Sequence, residues 1–445
     1  MKKLVIFAVL VALVGVFVVF ADSTTYPAYP AYTGPAATIT MWGWTSNENY
    51  SIAAFEKVYP NIHVVWSDVG AGGPEYMKVL TDTTAGKGLP DVIMSEYTYA
   101  PQFIEYGSFQ PINKWIPESL YLKFFPEYSL KWTSMDGQIY GTPQDSGAII
   151  MIYNKDIFDK YGLTVPKTWE EFAQDAEKLH SENPDITFTT IPNQWGMWEI
   201  GMVWQAGARM FDYANGKWYV DFTNPGAMKV FNYWSNLLNE KVVTLGTFLS
   251  PDWYKEVTSG KVAVIICGAW EPEWLMLNSP STAGQWRVAT MPQWDPNNPH
   301  NGEMGGSGFY VSSQSKYPEA AALFVLWLNS NPESLADLNK YSQLPVLVSK
   351  VFATDVAPSL ESTEYPYFGG QKIVPVEMEA DSQVNTSFVW LPVMDYIESS
   401  LEAELQKVSN GQETLADAIP HWQDAVVAFM KKQGFNNLVV GQLPK

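Results

Sequence analysis

Residues 153–158 read YNKDIF and residues 166–171 read PKTWEE, and the second stretch carries a clear helix start. Thr168 stands three residues before Glu171, which is the spacing of a capping box, in which the two side chains satisfy each other's backbone N–H groups. Three apolar residues then repeat at helical spacing: Phe172, Ala176 and Leu179. The pattern predicts an amphipathic helix within an αβ region that starts near Asp156.

Strands and helices alternate on the N-terminal side of this region. Apolar strands are predicted at residues 39–42, 62–66 and 91–94, with helices around residues 52–59 and 76–84 between them. This alternation indicates right-handed βαβ units and a mainly parallel sheet flanked by helices, which is the α/β class.

A further strand is predicted on the C-terminal side at residues 262–267, after a turn at Ser259-Gly260. A strongly apolar helix follows Pro318, and the last third of the chain is mostly helical by pattern. Because 445 residues are too many for one compact core, two domains are expected.

The charge balance restricts the possible partners. The chain has 47 acidic and 27 basic residues, a formal net charge of -20, and its only arginines are Arg209 and Arg287. Such a field repels phosphate backbones and anionic lipids, so nucleic acid is not an expected partner. A shortage of arginine also disfavours carboxylate or phosphate ligands. Neutral or cationic small molecules are favoured.

Cysteine and histidine usage gives no sign of redox or metal chemistry. Cys267 is the only cysteine and lies in an apolar run, so we expect a buried inert thiol. The four histidines have no ligand-like spacing. We therefore predict no metal site, no cofactor and no catalytic residues.

The N-terminus has the pattern of an export signal. Lys2 and Lys3 precede an unbroken apolar run over residues 4–20, and Ala21 suits a signal-peptidase site. We expect residues 1–21 to be a signal peptide, with retention as an anchor as the alternative. Residues 22–37 are predicted to be an extended linker. No cysteine follows the apolar run, so a lipid anchor is not expected, and the protein is placed in the periplasm or outside the cell.

Several motifs together resemble a known family, the extracellular solute-binding proteins of the maltose- and oligosaccharide-binding type (family 1), which serve ABC importers. The motifs are ITMW at 39–42, AFEKVYPNIHV at 54–64, GLPDV at 88–92, DGQIYGTP at 136–143, YNKDIF at 153–158, PKTWEE at 166–171, SGKVA at 259–263, GAW at 268–270 and YPEAA at 317–321. Their order and spacing carry the resemblance over nearly the whole mature chain.

The resemblance implies the two-lobed fold of periplasmic binding proteins of type II, with crossing hinge segments between the lobes. The N-terminal lobe is expected at residues 38–155 plus 291–338, and the C-terminal lobe at residues 156–290 plus 339–445. A ligand would lie in the cleft, the lobes would close on it, and the closed monomer would dock on the membrane permease.

Aromatic residues at the ends of strands are candidates for binding a sugar, because rings stack on the apolar faces of sugars and polar groups bond their hydroxyls. The chain has 19 tryptophans, and open α/β sheets bind ligands at their carboxyl ends. Residues that follow predicted strands or lie in predicted loops are Trp44, Glu96, Tyr97, Trp195, Trp198, Trp270, Glu271, Trp274 and Trp390. The resemblance points to many of these and adds Asn47, Asp145, Gly306 and Ser307, with Trp270 as the main stacking platform.

Other interpretations stay open. Most tryptophans in α/β proteins belong to cores, and we assign this role to Trp115, Trp132, Trp169, Trp234 and Trp327. A polyamine or another small solute is an alternative ligand, because acidic and aromatic residues together suit it. A secreted glycoside hydrolase would also combine aromatic platforms with carboxylates, although no suitably placed carboxylate pair is evident.

Overall fold

The computed structural model describes residues 26–44, 48–70, 72–342 and 348–444. The predicted signal peptide, the first residues of the predicted linker and the candidate Asn47 lie outside the described residues. Within the part that is described, no helix combines the length and apolar character needed to cross a membrane.

The strands of the described chain are β1 (Ala37–Gly43), β2 (Ile62–Asp68), β3 (Val92–Glu96), β4 (Ser134–Met135), β5 (Gln138–Ile139), β6 (Gly141–Pro143), β7 (Ile149–Asn154), β8 (Thr187–Pro192), β9 (Phe211–Ala214), β10 (Lys217–Val220), β11 (Thr244–Gly246), β12 (Val262–Gly268), β13 (Trp286–Ala289), β14 (Ser307–Val311) and β15 (Leu438–Val440).

The α-helices are α1 (Glu48–Val58), α2 (Gly73–Thr84), α3 (Ala100–Glu105), α4 (Glu118–Phe124), α5 (Glu127–Trp132), α6 (Lys155–Tyr161), α7 (Trp169–Glu182), α8 (Met197–Gln205), α9 (Pro225–Asn239), α10 (Pro251–Thr258), α11 (Glu271–Asn278), α12 (Pro318–Leu328), α13 (Pro332–Ser342), α14 (Ala357–Leu360), α15 (Val374–Ser382), α16 (Met394–Ser409) and α17 (Leu415–Lys432). The capping box at the start of α7 is present, with Thr168 accepting from the Glu171 N–H at 3.1 Å.

Two five-stranded sheets organise the two lobes. The first has the order β2-β1-β3-β14-β6, and the second has the order β11-β8-β12-β7-β13. In the first sheet β1 pairs in parallel with β2 and β3, and in the second β8 pairs in parallel with β11 and β12. The predicted parallel βαβ units are confirmed for these strands.

Each sheet is nevertheless mixed, because β14 is antiparallel to β3 and β6, and β7 is antiparallel to β12 and β13. Both β7 and β14 are the strands by which the chain enters a sheet from the opposite lobe. Strands that enter by such a crossing are not bound to the parallel direction that a helical crossover within one sheet imposes.

Within the described residues, the chain crosses between the lobes three times. The crossings are residues 144–148, residues 290–306, and the segment between Ala357, which packs in the first core, and Tyr367, which packs in the second. The predicted boundary at residue 155 therefore needs correction, since β7 belongs to the second sheet. The boundary at residue 338 is also too early, since Val351 and Phe352 are buried in the first core.

The predicted linker is partly docked on the first lobe. Tyr26, Tyr29 and Tyr32 recur every third residue, which is the period of a polyproline II helix, and all three pack against the first core. The Tyr29 ring stacks on Phe124 at 5.0 Å, and its hydroxyl lies 3.1 Å from the Ser330 Oγ. We call residues 26–32 the tyrosine strap.

Candidate ligand-binding cleft

The carboxyl ends of strands from both sheets face each other across a cleft with two connected cavities. The first, the tryptophan chamber, has a volume of about 350 Å³. Its lining residues are Trp44, Met94, Glu96, Asp145, Leu249, Tyr254, Trp270, Trp274, Asn278, Gly305, Gly306 and Ser307. Trp44 follows β1 in the first lobe, whereas Trp270 and Trp274 follow β12 in the second, so aromatic rings approach this chamber from both lobes.

The second cavity, the carboxylate chamber, has a volume of about 490 Å³. It is lined by Gly72, Gly73, Tyr76, Met77, Leu80, Glu96, Tyr99, Gln102, Phe103, Gln194, Trp195, Leu249, Trp270, Asp395, Glu398, Ser399 and Glu402. Glu96, Leu249 and Trp270 line both chambers, so the two form one continuous site. Leu249 has a left-handed backbone (φ 58°), a conformation that bulky residues rarely adopt.

Trp270 lies at the junction of the two chambers. It ends the connection from β12 to α11, and its indole Nε1 donates a hydrogen bond of 2.7 Å to the Met304 carbonyl in the second crossing. The Trp195 ring lies 5.9 Å from the Trp270 ring at an interplanar angle of 58°. These contacts fix the orientation of the Trp270 ring while leaving it half-buried at the cavity wall.

Asp145 contributes a carboxylate from the first crossing. Its Oδ1 accepts hydrogen bonds from the Ser307 N–H at 2.8 Å and the Ser307 hydroxyl at 2.9 Å. Burial raises the pKa of Asp145 to about 6, although the Ser307 bonds act in the opposite direction. No described residue donates to the other oxygen, Oδ2, which leaves it available to a ligand hydroxyl.

Glu96 stands at the end of β3 and faces both chambers. The Tyr76 hydroxyl donates to Glu96 Oε2 at 2.8 Å and accepts from the Glu96 N–H at 3.3 Å. Burial raises the pKa of Glu96, the Tyr76 hydrogen bond lowers it, and the nearby Asp145 carboxylate raises it. The bond from Tyr76 orients this carboxyl towards the cavity junction.

The part of the wall next to the Trp270 indole is backbone. Gly305 and Gly306 both have a left-handed conformation (φ 83° and 84°). A methyl group at Gly306 would lie 2.9 Å from the Tyr97 ring and 3.2 Å from the Gly147 N, so only glycine fits. The N–H groups of Gly305 and Gly306 donate to no other described residue. They are free donors at the cavity wall.

The sequence matches the family model described as bacterial extracellular solute-binding protein over residues 43–334, which is more than half of the chain. The chain belongs to this family. The match starts at the last residue of β1 and ends in α13, so it includes the second sheet, the other strands of the first sheet and the first two crossings.

Curated relatives of this solute-binding protein carry sugar-related names. It is 25% identical over 307 residues to an arabinooligosaccharide-binding protein of Halalkalibacterium halodurans, covering 68% of each chain. It is 24% identical over 355 residues to a lactose-binding protein of Rhizobium radiobacter, covering 76% of this chain and 80% of the relative.

A solved structure shares the fold over most of the chain. This is the ABC transporter associated binding protein from B. animalis subsp. lactis Bl-04 in complex with beta-1,6-galactobiose. The TM-score is 0.79 at 28% identity, and the match covers 91% of this chain and 100% of the other. The expected two-lobed fold of the solute-binding protein is confirmed.

The structure brings most of the predicted site residues together in the cleft. Trp44, Glu96, Asp145, Trp195, Trp270, Gly306 and Ser307 line one or both chambers, together with Trp274. These residues come from segments far apart in the sequence, and the strand ends that carry them converge only because the two lobes face each other. Their role in binding stays a proposal.

Trp198 and Trp390 were predicted in the cleft, and the structure corrects both. Trp198 is fully buried in the second lobe, where its Nε1 donates to the Ile266 carbonyl at 3.2 Å and its ring meets Trp234 edge-on at 4.8 Å. Every residue of α8 is buried, so a tryptophan in its first turn faces the core. Trp390 packs against Trp204 and lines a separate cavity with Trp132.

Tyr97 and Glu271 lie one layer behind the cavity wall. The Tyr97 hydroxyl donates to the Asp145 carbonyl at 2.9 Å, and its ring supports Gly306. Glu271 is fully buried and accepts from the Tyr254 hydroxyl at 3.2 Å, while Tyr254 itself reaches the chamber. Burial raises the pKa of Glu271 well above its usual value. Both residues position lining groups and do not face the cavity themselves.

Two groups of lining residues are not predicted from the sequence. Leu249 and Tyr254 follow β11, a strand of three residues whose Thr-Leu-Gly sequence gives no strand signal. Asp395, Glu398 and Glu402 lie on one side of α16, at spacings of three and four residues. That stripe was visible in the sequence, but a polar stripe is also what any surface helix presents.

One group outside the cleft bears on the prediction that no metal is bound. Ligand atoms of Glu404, Glu413 and His421 lie within 4.8 Å of one another. Glu404 is ion-paired with Lys407, and the His421 Nδ1 lies 3.0 Å from Glu413 Oε2. These ion-pair contacts explain why the three side chains lie close together without a bound metal ion.

Proposed function

We propose that this chain is the substrate-binding component of an ABC sugar importer and captures an oligosaccharide in the cleft between its lobes. The observation that carries the proposal is the tryptophan chamber, in which Trp44 and Trp270 approach one cavity from opposite lobes. Flat aromatic faces suit the apolar faces of pyranose rings, and several rings suit a ligand of more than one sugar unit. The names of the sugar-binding relatives agree with this ligand class.

The polar groups at the rim complete a sugar site. Asp145 Oδ2 and Glu96 can accept from ligand hydroxyls, and the Gly305 and Gly306 N–H groups can donate to them. Each group is held in place by protein contacts, so little side-chain ordering remains to oppose binding.

The mechanism is reversible capture by lobe closure. A ligand that contacts both lobes favours the closed state through the contacts that exist only in that state. The crossings at residues 144–148 and 290–306 supply both Asp145 and the Gly305-Gly306 wall, so the hinge and the site share residues. The closed monomer would then deliver the ligand to the permease, without covalent chemistry, a cofactor or nucleic acid.

Export to the periplasm or the outside of the cell is part of the proposal, with removal of residues 1–21 as a signal peptide. The apolar run over residues 4–20 and the extracellular character of the family support this location.

Calorimetric titration with neutral oligosaccharides tests the proposal. The panel contains galactobiose, lactose and arabino-oligosaccharides, and spermidine is titrated as the representative polyamine. Saturable heat with at least one saccharide supports the proposal, and heat with spermidine alone replaces it with polyamine binding. Chromatography of the same mixtures checks for hydrolysis: sustained product release that Asp145→Asn abolishes would contradict a binding protein and indicate a glycosidase.

A further inference from the structure

The carboxylate chamber has an unusual charge distribution. Four carboxyl groups line it, from Glu96, Asp395, Glu398 and Glu402, and among the lining residues there is no lysine, arginine or histidine. The tryptophan chamber also lacks these cations among its lining residues. The acidic side chains that face the cavity therefore have no positively charged partner among the lining residues.

Among the carboxyl groups that line this chamber, Glu398 has a buried oxygen without a hydrogen-bond partner. Its side chain lines the chamber although the residue is only 5% exposed, and its Oε1 has no hydrogen-bond partner. A buried carboxyl oxygen without a partner is costly, and native structures rarely retain one unless a ligand or a proton satisfies it. Burial is the main cause that raises the pKa of Glu398, followed by Glu96, Glu402 and Asp395.

A second buried carboxyl lies in α2 on the first-lobe side of the chamber. Glu75 is 1% exposed, and neither of its carboxyl oxygens has a partner. Burial raises its pKa to about 9, and the charges of Glu96 and Asp68 act in the same direction. At this pKa the Glu75 carboxyl is protonated near neutral pH, so the acidic group that the first lobe presents to the chamber is Glu96, across the cleft from α16.

The aromatic residues of this chamber fit the same chemistry. The Tyr76 and Tyr99 rings lie 4.4 Å apart at 40°, and both line the cavity beside Glu96. The face of an aromatic ring carries negative electrostatic potential and attracts organic cations within about 6 Å of its centre. Aromatic faces and carboxylates together recognise an alkylammonium group better than either does alone.

We propose that the carboxylate chamber binds a protonated amino group, so that the ligand is an amino sugar or an oligosaccharide that contains one. The proposal rests on the proposed carbohydrate function and specifies the substrate class of that same site. A neutral ring occupies the tryptophan chamber, and the ring that carries the ammonium group lies among Glu96, Glu398 and Glu402, with Tyr76 and Tyr99 beside it.

Neutral sugar hydroxyls satisfy only part of what this chamber presents. A hydroxyl can donate to a carboxylate lone pair, but it leaves the mutual repulsion of the carboxylates unchanged. An ammonium group donates up to three hydrogen bonds and also neutralises charge. The net charge of -20 further raises the local concentration of cationic over neutral ligands near the cleft.

The test compares sugars that differ only in amino groups that replace hydroxyl groups. Calorimetric titration is carried out at about pH 6.5, where amino groups with a pKa of about 8 are protonated. It uses three matched pairs: glucosamine with glucose, galactosamine with galactose, and the β-1,4-linked dimer of glucosamine with cellobiose. We expect the amino member of at least one pair to bind roughly tenfold tighter or more, as a charge-assisted contact implies. The preference should weaken as salt is raised.

Variants identify the groups responsible. Glu398→Gln and Glu402→Gln keep the shape of the chamber and remove charge, and Glu402 is only half-buried, so at least one variant is expected to fold. Each should reduce the affinity for the amino member by a larger factor than the affinity for its neutral partner, because only the ammonium group loses a charged contact. Glu240→Gln, at an exposed site after α9, is the matched control and should change neither affinity.

The outcomes separate this proposal from the one on which it rests. If neutral sugars bind as tightly as their amino partners, or if no amino sugar binds, the amine subsite is refuted while carbohydrate binding stands on the neutral panel. If the amino sugar is preferred but the preference survives in both variants, the assignment to this chamber is wrong. If no saccharide of either panel binds, the carbohydrate function itself fails.

Discussion

The Trp270 indole and the Met304 carbonyl are joined by a hydrogen bond of 2.7 Å that links the second lobe to the crossing at residues 290–306. The donor belongs to the aromatic ring at the junction of the two chambers, and the acceptor lies one residue before the Gly305-Gly306 wall. The ring that would carry the ligand is therefore attached to the segment about which the lobes move.

Trp270→Ala should weaken oligosaccharide binding by more than about tenfold, because it removes a stacking face worth about 0.5–1.5 kcal/mol beyond buried area, and it also releases the crossing. Trp270→Phe keeps a ring but loses the hydrogen bond, so an intermediate loss is expected. Titration calorimetry measures both. Trp115→Ala, at a half-buried tryptophan outside the cleft, is the control. Unchanged affinity in Trp270→Ala would show that the platform lies elsewhere.

Trp198→Phe should lower stability without changing affinity. The substitution removes the hydrogen bond to the Ile266 carbonyl and leaves space in a closely packed core, and each effect contributes on the order of 1 kcal/mol or more. Chemical denaturation measures the free energy of unfolding, and titration measures the ligand affinity of the folded variant. If the variant is fully folded and clearly loses affinity, Trp198 contributes to ligand binding and this prediction is wrong.

Gly306→Ala should destabilise the protein and weaken binding together. Its left-handed backbone and the Tyr97 ring 2.9 Å from the new methyl group both oppose the alanine, so the cost should exceed the roughly 1 kcal/mol that a left-handed alanine carries alone. Gly411→Ala is the matched control, because Gly411 is also left-handed (φ 69°) with no heavy atom within 4 Å of the added carbon. Equal losses in the two variants would refute the steric argument.

Glu75→Gln should become more stabilising as the pH rises. The folded-state pKa of about 9 lies above the unfolded value of 4.5, so the parent loses stability as the pH rises through the interval between them. The loss is at most about 1.4 kcal/mol per pH unit, and the glutamine variant does not have it. Unfolding curves at about pH 5 and about pH 8 give the comparison.

The exposed Glu361→Gln variant controls for a general charge effect in that experiment. A difference between Glu75→Gln and the parent that is the same at both pH values would contradict the assignment of a raised pKa to Glu75.

The strands β1, β2, β3 and β12 and the helices α1, α2, α7 and α12 were predictable from the sequence, because long periodic segments and capping residues act locally. The direction of β7 and β14 was not, because it depends on where the chain crosses between lobes. The position of Trp390 in a separate cavity could not be predicted either, because its neighbours Trp204 and Trp132 are distant in the sequence.

Trp195 and Trp198 show the limit of prediction within the site. They lie three residues apart in one segment, and both fit the idea of an aromatic residue after a strand. Because α8 begins at Met197, Trp198 points into the core while Trp195, before the helix, remains at the cleft. Trp198 is one of six tryptophans that are fully buried in the cores; the six are Trp198, Trp204, Trp234, Trp286, Trp327 and Trp422. A high tryptophan content therefore reports mainly on the cores.

The tyrosine strap makes the two lobes unequal in their freedom. Its stacking on Phe124 and its bond to Ser330 join the N-terminal end of the described chain to the first lobe alone. If the chain were attached to a surface ahead of Tyr26, the first lobe would stay fixed to that surface. Closure would then move the second lobe relative to the surface. A sensor made by immobilising this chain should accordingly carry its reporter group on the second lobe, where the displacement on closure is largest.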